Sequence, residues 1–268
     1  MRAAPLPCPR GRRGLTAAGR KHARPVSKLQ ERLSRQVGRA VCDYNLIEDG
    51  DRVLLALSGG KDSLALLRIL QWRRTFVPIR YEILPVHVDL AFGQGDGALD
   101  IEVLRRRVAD AGLELIVRKR DIFGGKTREE IACFWCAWNR RKVLFETADE
   151  LGCRKIALGH HKDDIVETVL MNLLFEGEIS AMVPRQELFG GKVVLIRPFA
   201  YAEERLIERF AAALDLAVPS VPCPHGKVSQ RAFAKRVIRE ASRVAPGVRT
   251  NIFRSLTRVK KEYLLHSA

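Results

Sequence analysis

Three groupings of side chains in this 268-residue chain are able to do chemistry. The first is Ser58-Gly59-Gly60-Lys61-Asp62-Ser63. Its two glycines let backbone N–H groups approach an anion, Lys61 adds a point charge, and the two hydroxyls can donate to phosphate oxygens. The second is Gly159-His160-His161-Lys162-Asp163-Asp164, which gathers imidazole and two carboxylates where a carboxylate can hold Mg2+ on a phosphate. The third is Cys133-Phe134-Trp135-Cys136 with a distant Cys223.

The glycine turn does not have the spacing of a Walker A loop. Leu55 stands where that loop needs glycine, and Asp62 follows the lysine where it needs Ser or Thr. Hydrolysis of a γ-phosphate is therefore disfavoured, and a plain turn with a helix cap is the structural alternative. For the second grouping, the alternative is that Asp163 and Asp164 only complement a helix dipole.

The cysteines admit several chemistries. A single C-x-x-C suits a redox pair, a persulfide carrier, half of a zinc site or cluster ligands. No second C-x-x-C exists, so zinc would have to recruit His225 or another distant residue. Three thiolates fit a 4Fe-4S cluster with one iron left open for an exogenous ligand such as sulfide. Arg140, Arg141 and Lys142 follow the pair and favour thiolates. Cys8, Cys42 and Cys153 read as core or incidental residues.

The elements that must position these groups follow from hydropathy. Residues 52–57 form a continuous apolar run that suits a buried parallel strand, ending in the glycine turn. Further strands are expected at 83–88, 113–117, 155–158 and 193–196, with helices near 27–46, 98–111, 137–151, 162–175 and 203–214. This alternation predicts an α/β fold with a doubly wound parallel sheet, crossed over right-handedly and covered on both faces. Two basic helical stretches, near 229–243 and 248–264, are expected to form a small C-terminal lobe.

The expected division is therefore a disordered basic arm at 1–25, an α/β domain at 26–218 carrying the C-x-x-C, and an RNA-facing helical segment at 219–268 with the third cysteine. An organelle transit peptide is the alternative for the arm. The formal charge of +16 favours a polyanionic partner, with nucleic acid ahead of a membrane surface. No apolar run approaches the ~18 residues of a membrane-spanning helix. Cysteine usage fits a reducing cytoplasm.

The glycine turn after an apolar strand resembles the PP-loop of ATP pyrophosphatases, and Gly-His-His-x-Asp-Asp resembles a segment of the PP-loop enzymes that modify tRNA. With the cysteine trio, the likeness narrows to the tRNA 2-thiocytidine synthetase family, over about residues 27–266. Arg197-Pro198-Phe199 and Pro222-Cys223 also resemble family landmarks.

The resemblance implies a PP-loop/HUP-like fold and an ATP-dependent tRNA sulfurtransferase. ATP and Mg2+ would be held by Ser58, Gly59, Gly60, Lys61, Asp62 and Ser63, with Asp89, Gly159, His160 and Asp164 alongside. Lys61, Asp62 and the cysteines would be catalytic, and Cys133, Cys136 and Cys223 would hold the cluster. The implied reaction adenylates the C2 oxygen of a tRNA cytidine and replaces it with sulfur from sulfide or a cysteine desulfurase; a homodimer is left open. The alternatives are another PP-loop specificity, of 2-thiouridine or lysidine type, and a nucleotide-regulated RNA-binding protein without turnover. The chain departs from the family in lacking a further cysteine soon after Cys223, and in the aromatics Phe134, Trp135 and Trp138.

Overall fold

The computed structural model describes residues 24–90, 99–122, 130–219 and 229–263. The first 23 residues and the segment holding Cys223 lie outside the described residues.

Six strands form one sheet: β1 (Asp51–Ala56), β2 (Tyr81–Asp89), β3 (Ile116–Lys119), β4 (Lys155–Ala157), β5 (Arg185–Leu188) and β6 (Val193–Ile196). Their spatial order is β3-β2-β1-β4-β6-β5. Every pairing is parallel except that of β5 with β6. The expected sheet is therefore present with one addition, the antiparallel edge strand β5. Its sequence, Arg-Gln-Glu-Leu, is polar and lacks β-branched residues, so nothing in its hydropathy marks a strand.

The eight α-helices of the described residues are α1 (Arg24–Tyr44), α2 (Lys61–Arg73), α3 (Ile101–Ala109), α4 (Cys133–Glu150), α5 (Lys162–Met171), α6 (Glu204–Ala213), α7 (Gln230–Val244) and α8 (Val248–Ser255). Period-2 alternation divides the core. Val53 and Leu55 of β1 join Leu33, Leu66, Leu104 and Phe210 from α1, α2, α3 and α6. Leu54, one residue out of phase, joins Val143 and Leu144 of α4 on the other face, with Cys153 buried there as a core residue.

Strand order reverses between β1 and β4, which are neighbours although two strands, β2 and β3, separate them in sequence. A crevice opens at the carboxyl ends of two strands whose connections leave in opposite directions. At the opposite end, buried Lys155 of β4 donates to Glu48 at 2.7 Å and Asp51 at 2.6 Å, tying this pair together.

Candidate nucleotide and cysteine site

Both polar loops of the sequence emerge at that crevice. After β1, Gly59 adopts φ +82°, a conformation closed to most side chains, and Gly60 caps α2 with its backbone alone. Ser58 and Ser63 lie across the turn with hydroxyls 3.3 Å apart; Ser63 donates to the Gly60 carbonyl at 2.9 Å. The first amides of α2 have no acceptor within the helix, so the turn presents donors and the positive end of a dipole.

Asp62 follows as the second residue of α2, and its Oδ1 is buried without a hydrogen-bond partner. A carboxylate oxygen left in that state fits a cation or a donor brought by a ligand. Lys61 turns toward α6, with Nζ 3.4 Å from Glu204, 3.7 Å from Glu208 and 3.3 Å from Asp62. Burial alone would lower its pKa, but the three carboxylates outweigh burial and the net shift is upward.

The second loop presses against the first. A Cβ added to Gly159 would lie 3.0 Å from the Ser63 nitrogen and 3.1 Å from the Asp62 carbonyl carbon. Gly159 thus lets the loop after β4 touch the start of α2. Next to it, His160 Nδ1 is buried without a partner. Burial, aided by Arg197, Arg231 and His161 against the pull of Asp164, pushes its pKa down to about 4, so the ring is neutral at pH 7.

His161 starts α5 in a reciprocal cap: its Nδ1 accepts from the Asp164 amide at 3.3 Å, and its own amide donates to Asp164 Oδ2 at 2.9 Å. Asp164 Oδ1 accepts from Arg231 of α7 at 2.9 Å. Asp163 accepts from the Glu204 amide at 2.8 Å and pairs with Arg249 of α8 at 2.9 Å. Both carboxylates therefore anchor the two C-terminal helices, a role the sequence did not disclose because each guanidinium lies more than 60 residues away.

Cys133 and Cys136 occupy the first turn of α4 rather than preceding it, as thiols and not as a disulfide. Both line a cavity of about 1200 Å³ that is also lined by Ser58, Asp62, Ser63 and His160. Arg140, Arg141, Arg197 and Arg231 add a cationic wall. Arg197 is 5% exposed. It donates to the Val183 carbonyl and leaves Nε without a partner. Burial and Arg141 lower its pKa to about 10. Such a lining suits an extended anion.

Two placements differ in emphasis from the sequence reading. β-Alternation puts Val86 and Val88 in the cavity wall, whereas His87 is buried and hydrogen-bonded to the Leu57 carbonyl at 2.7 Å, and Asp89 shares its phase. Among the described residues no set of three His, Cys, Asp or Glu is gathered to hold a metal, and Cys223 lies outside them. Sequence reasoning passed over Arg197 as a site residue, and Glu204, which links Lys61 to Lys235 of α7 at 2.8 Å. The charge of Arg197 directly after the apolar run expected as a strand at 193–196 was the available signal.

A reversed-order sheet with a glycine turn at its switch point defines a PP-loop nucleotide-binding protein, and residues 28–219 match the family described as the PP-loop domain. Two curated relatives share the name tRNA-cytidine(32) 2-sulfurtransferase. The Burkholderia multivorans protein is 39% identical over 95% of this chain and 77% of its own length. That of Polynucleobacter necessarius is 36% identical over 89% and 80%. The chain belongs to the tRNA-cytidine(32) 2-sulfurtransferase family of PP-loop proteins. Among solved structures, the U34-tRNA thiolase NcsA of Methanococcus maripaludis with its 4Fe-4S cluster superposes with a TM-score of 0.70, at 24% identity over 91% of this chain and 82% of that one. That likeness is one of fold.

Proposed function

We propose that this protein is an ATP-dependent tRNA sulfurtransferase that exchanges the C2 oxygen of a cytidine for sulfur, and that Cys133, Cys136 and Cys223 hold a 4Fe-4S cluster. One observation carries the reading: Ser58, Asp62 and Ser63 share a single cavity with Cys133 and Cys136. Residues distant in sequence thus face one volume in which activation and sulfur delivery can follow each other.

The donor set suits the cluster. Two cysteines one helical turn apart at a helix start have their thiolates favoured by the dipole. Cys223 stands six residues before Ser229, which lines the same cavity, and six residues reach at most ~20 Å. The cluster, when bound, supplies an open iron at which sulfide can be held.

The turn at Ser58–Ser63 binds the phosphates of ATP through backbone amides and hydroxyls. Asp62 Oδ1, buried without a partner, would hold Mg2+ on those phosphates. The cytosine C2 oxygen attacks the α-phosphorus and pyrophosphate leaves; sulfide then attacks C2, the C2–O bond breaks, and AMP leaves with that oxygen while the sulfide proton is released. Adenylation is required because an amide-like oxygen is a poor leaving group. Lys61, released from Glu204 and Glu208, offsets charge on the phosphate oxygens. Arg140, Arg141 and Arg197 hold phosphates of nucleotide or RNA, and neutral His160 offers a hydrogen bond without adding charge. The base must leave its stack to enter, which suits an anticodon-loop nucleotide. The setting we infer is the cytoplasm, with the sulfur supplied as sulfide, or as the persulfide of a cysteine desulfurase reduced to sulfide by a dithiol.

Iron and sulfide counts after anaerobic purification test the ligand set. Cys133→Ala, Cys136→Ala and Cys223→Ala should each lose most of the iron, and near-normal iron in all three would refute it. Pyrophosphate release that depends on tRNA, with 2-thiocytidine found by nucleoside mass spectrometry, tests the reaction.

A further inference from the structure

Cavity-facing residues on α4 recur at helical spacing: Cys133, Cys136, Ala137, Arg140, Arg141 and Leu144. Trp135 and Trp138 fall on the other, solvent-facing side of the helix, and neither lines the cavity. They remain 45% and 43% exposed. Their indoles stack with centroids 5.3 Å apart and planes 12° from parallel. Lys142 Nζ stands 5.3 Å from the Trp138 ring. Buried Asn139 donates to the Trp135 carbonyl at 2.9 Å, fixing the turn between them.

Neither indole serves the core, and aromatic residues are indifferent helix formers, so folding does not account for them. A flat aromatic pair beside a cation is the chemistry that holds an unpaired nucleobase. Arg141 and Lys142, both exposed, extend the cationic wall along the same helix and match a phosphate backbone passing over it.

We propose that Trp135 and Trp138 form a stacking ledge for an unpaired base of the tRNA on the outer face of the helix that carries Cys133 and Cys136. This rests on the tRNA reading above. Trp138 is bounded by Trp135 toward the helix start and by Lys142 toward its end. The incoming base therefore meets Trp135. The ledge stands outside the cavity, so it receives a base other than the reacting one.

Fluorescence anisotropy with a labelled, unmodified anticodon stem-loop tests the ledge without ATP or sulfur chemistry. Trp135→Ala should weaken binding about tenfold with the salt dependence unchanged. Trp135→Tyr should restore most of the affinity. Lys142→Ala should instead lower the slope of log affinity against log salt by about one. Wild-type affinity in a folded Trp135→Ala protein, or a loss in Trp135→Tyr equal to that of alanine, overturns the ledge. Failure of the wild-type protein to bind the stem-loop overturns the tRNA reading instead.

Discussion

Replacing Gly159 by alanine tests whether the two loops must touch. The added methyl would meet the Ser63 nitrogen at 3.0 Å, the Asp62 carbonyl carbon at 3.1 Å and the Ser63 Cα at 3.2 Å. All three atoms are backbone in the first turn of α2, so no side chain can swing aside. The turn has to retreat by a few tenths of an ångström, and overpacking of this kind costs about 1–3 kcal/mol. The atoms displaced belong to the turn proposed to bind the phosphates. Since a 1 Å misplacement costs about 10²-fold, the affinity for a non-hydrolysable ATP analogue should fall on the order of tenfold. Titration calorimetry and urea unfolding on the same preparation measure both effects. Gly60→Ala is the control for the urea midpoint alone, because its methyl meets only the Ser58 hydroxyl, at 3.3 Å. Wild-type ATP affinity and an unchanged urea midpoint in Gly159→Ala would refute the argument.

Two more outcomes follow from the buried polar groups. His160 has a folded-state pKa of about 4 against an ordinary 6.5, so the unfolded chain binds the extra proton between those values; stability falls as pH is lowered through that window. His160→Gln should flatten the decline in urea midpoint between pH 7 and pH 5, and a decline as steep as wild type would count against it. Asp163→Ala removes the acceptor of the Glu204 amide and the partner of Arg249, which is partly solvated, so the cost should be about 2–3 kcal/mol. Trypsin should then cut within α8 faster; unchanged cleavage and stability would show that the pair anchors nothing.

Much of the layout was legible because parallel strands buried on both faces read as apolar runs. β6 was expected at 193–196 and is found there, and β1 differs by a single residue at each end. α4 starts four residues earlier than its periodicity suggested, since Phe134, Trp135 and Trp138 blur the apolar stripe. The long helix expected at 162–175 stops at Met171 and passes into a π-turn over Asn172–Glu176, and the last helix ends at Ser255 rather than 264. The phosphate turn was readable from residue type because glycine and hydroxyls are required wherever such a turn occurs. The long-range partners were not: nothing local in Asp163 or Asp164 points to Arg249 or Arg231.

Those two ion pairs decide what can be cut away. The span 28–219 matches the PP-loop domain. Ending the chain at Pro219 would strip both guanidinium groups from carboxylates that are largely withdrawn from water, with side chains only 12% and 17% exposed. The shortened protein would keep every strand of the sheet and the whole Ser58–Ser63 turn, yet lose Arg231 from the cationic wall and carry two stranded negative charges beside the proposed nucleotide site, where they would repel a triphosphate. The terminal helices are thus as much counter-ions of the catalytic half as they are its cover.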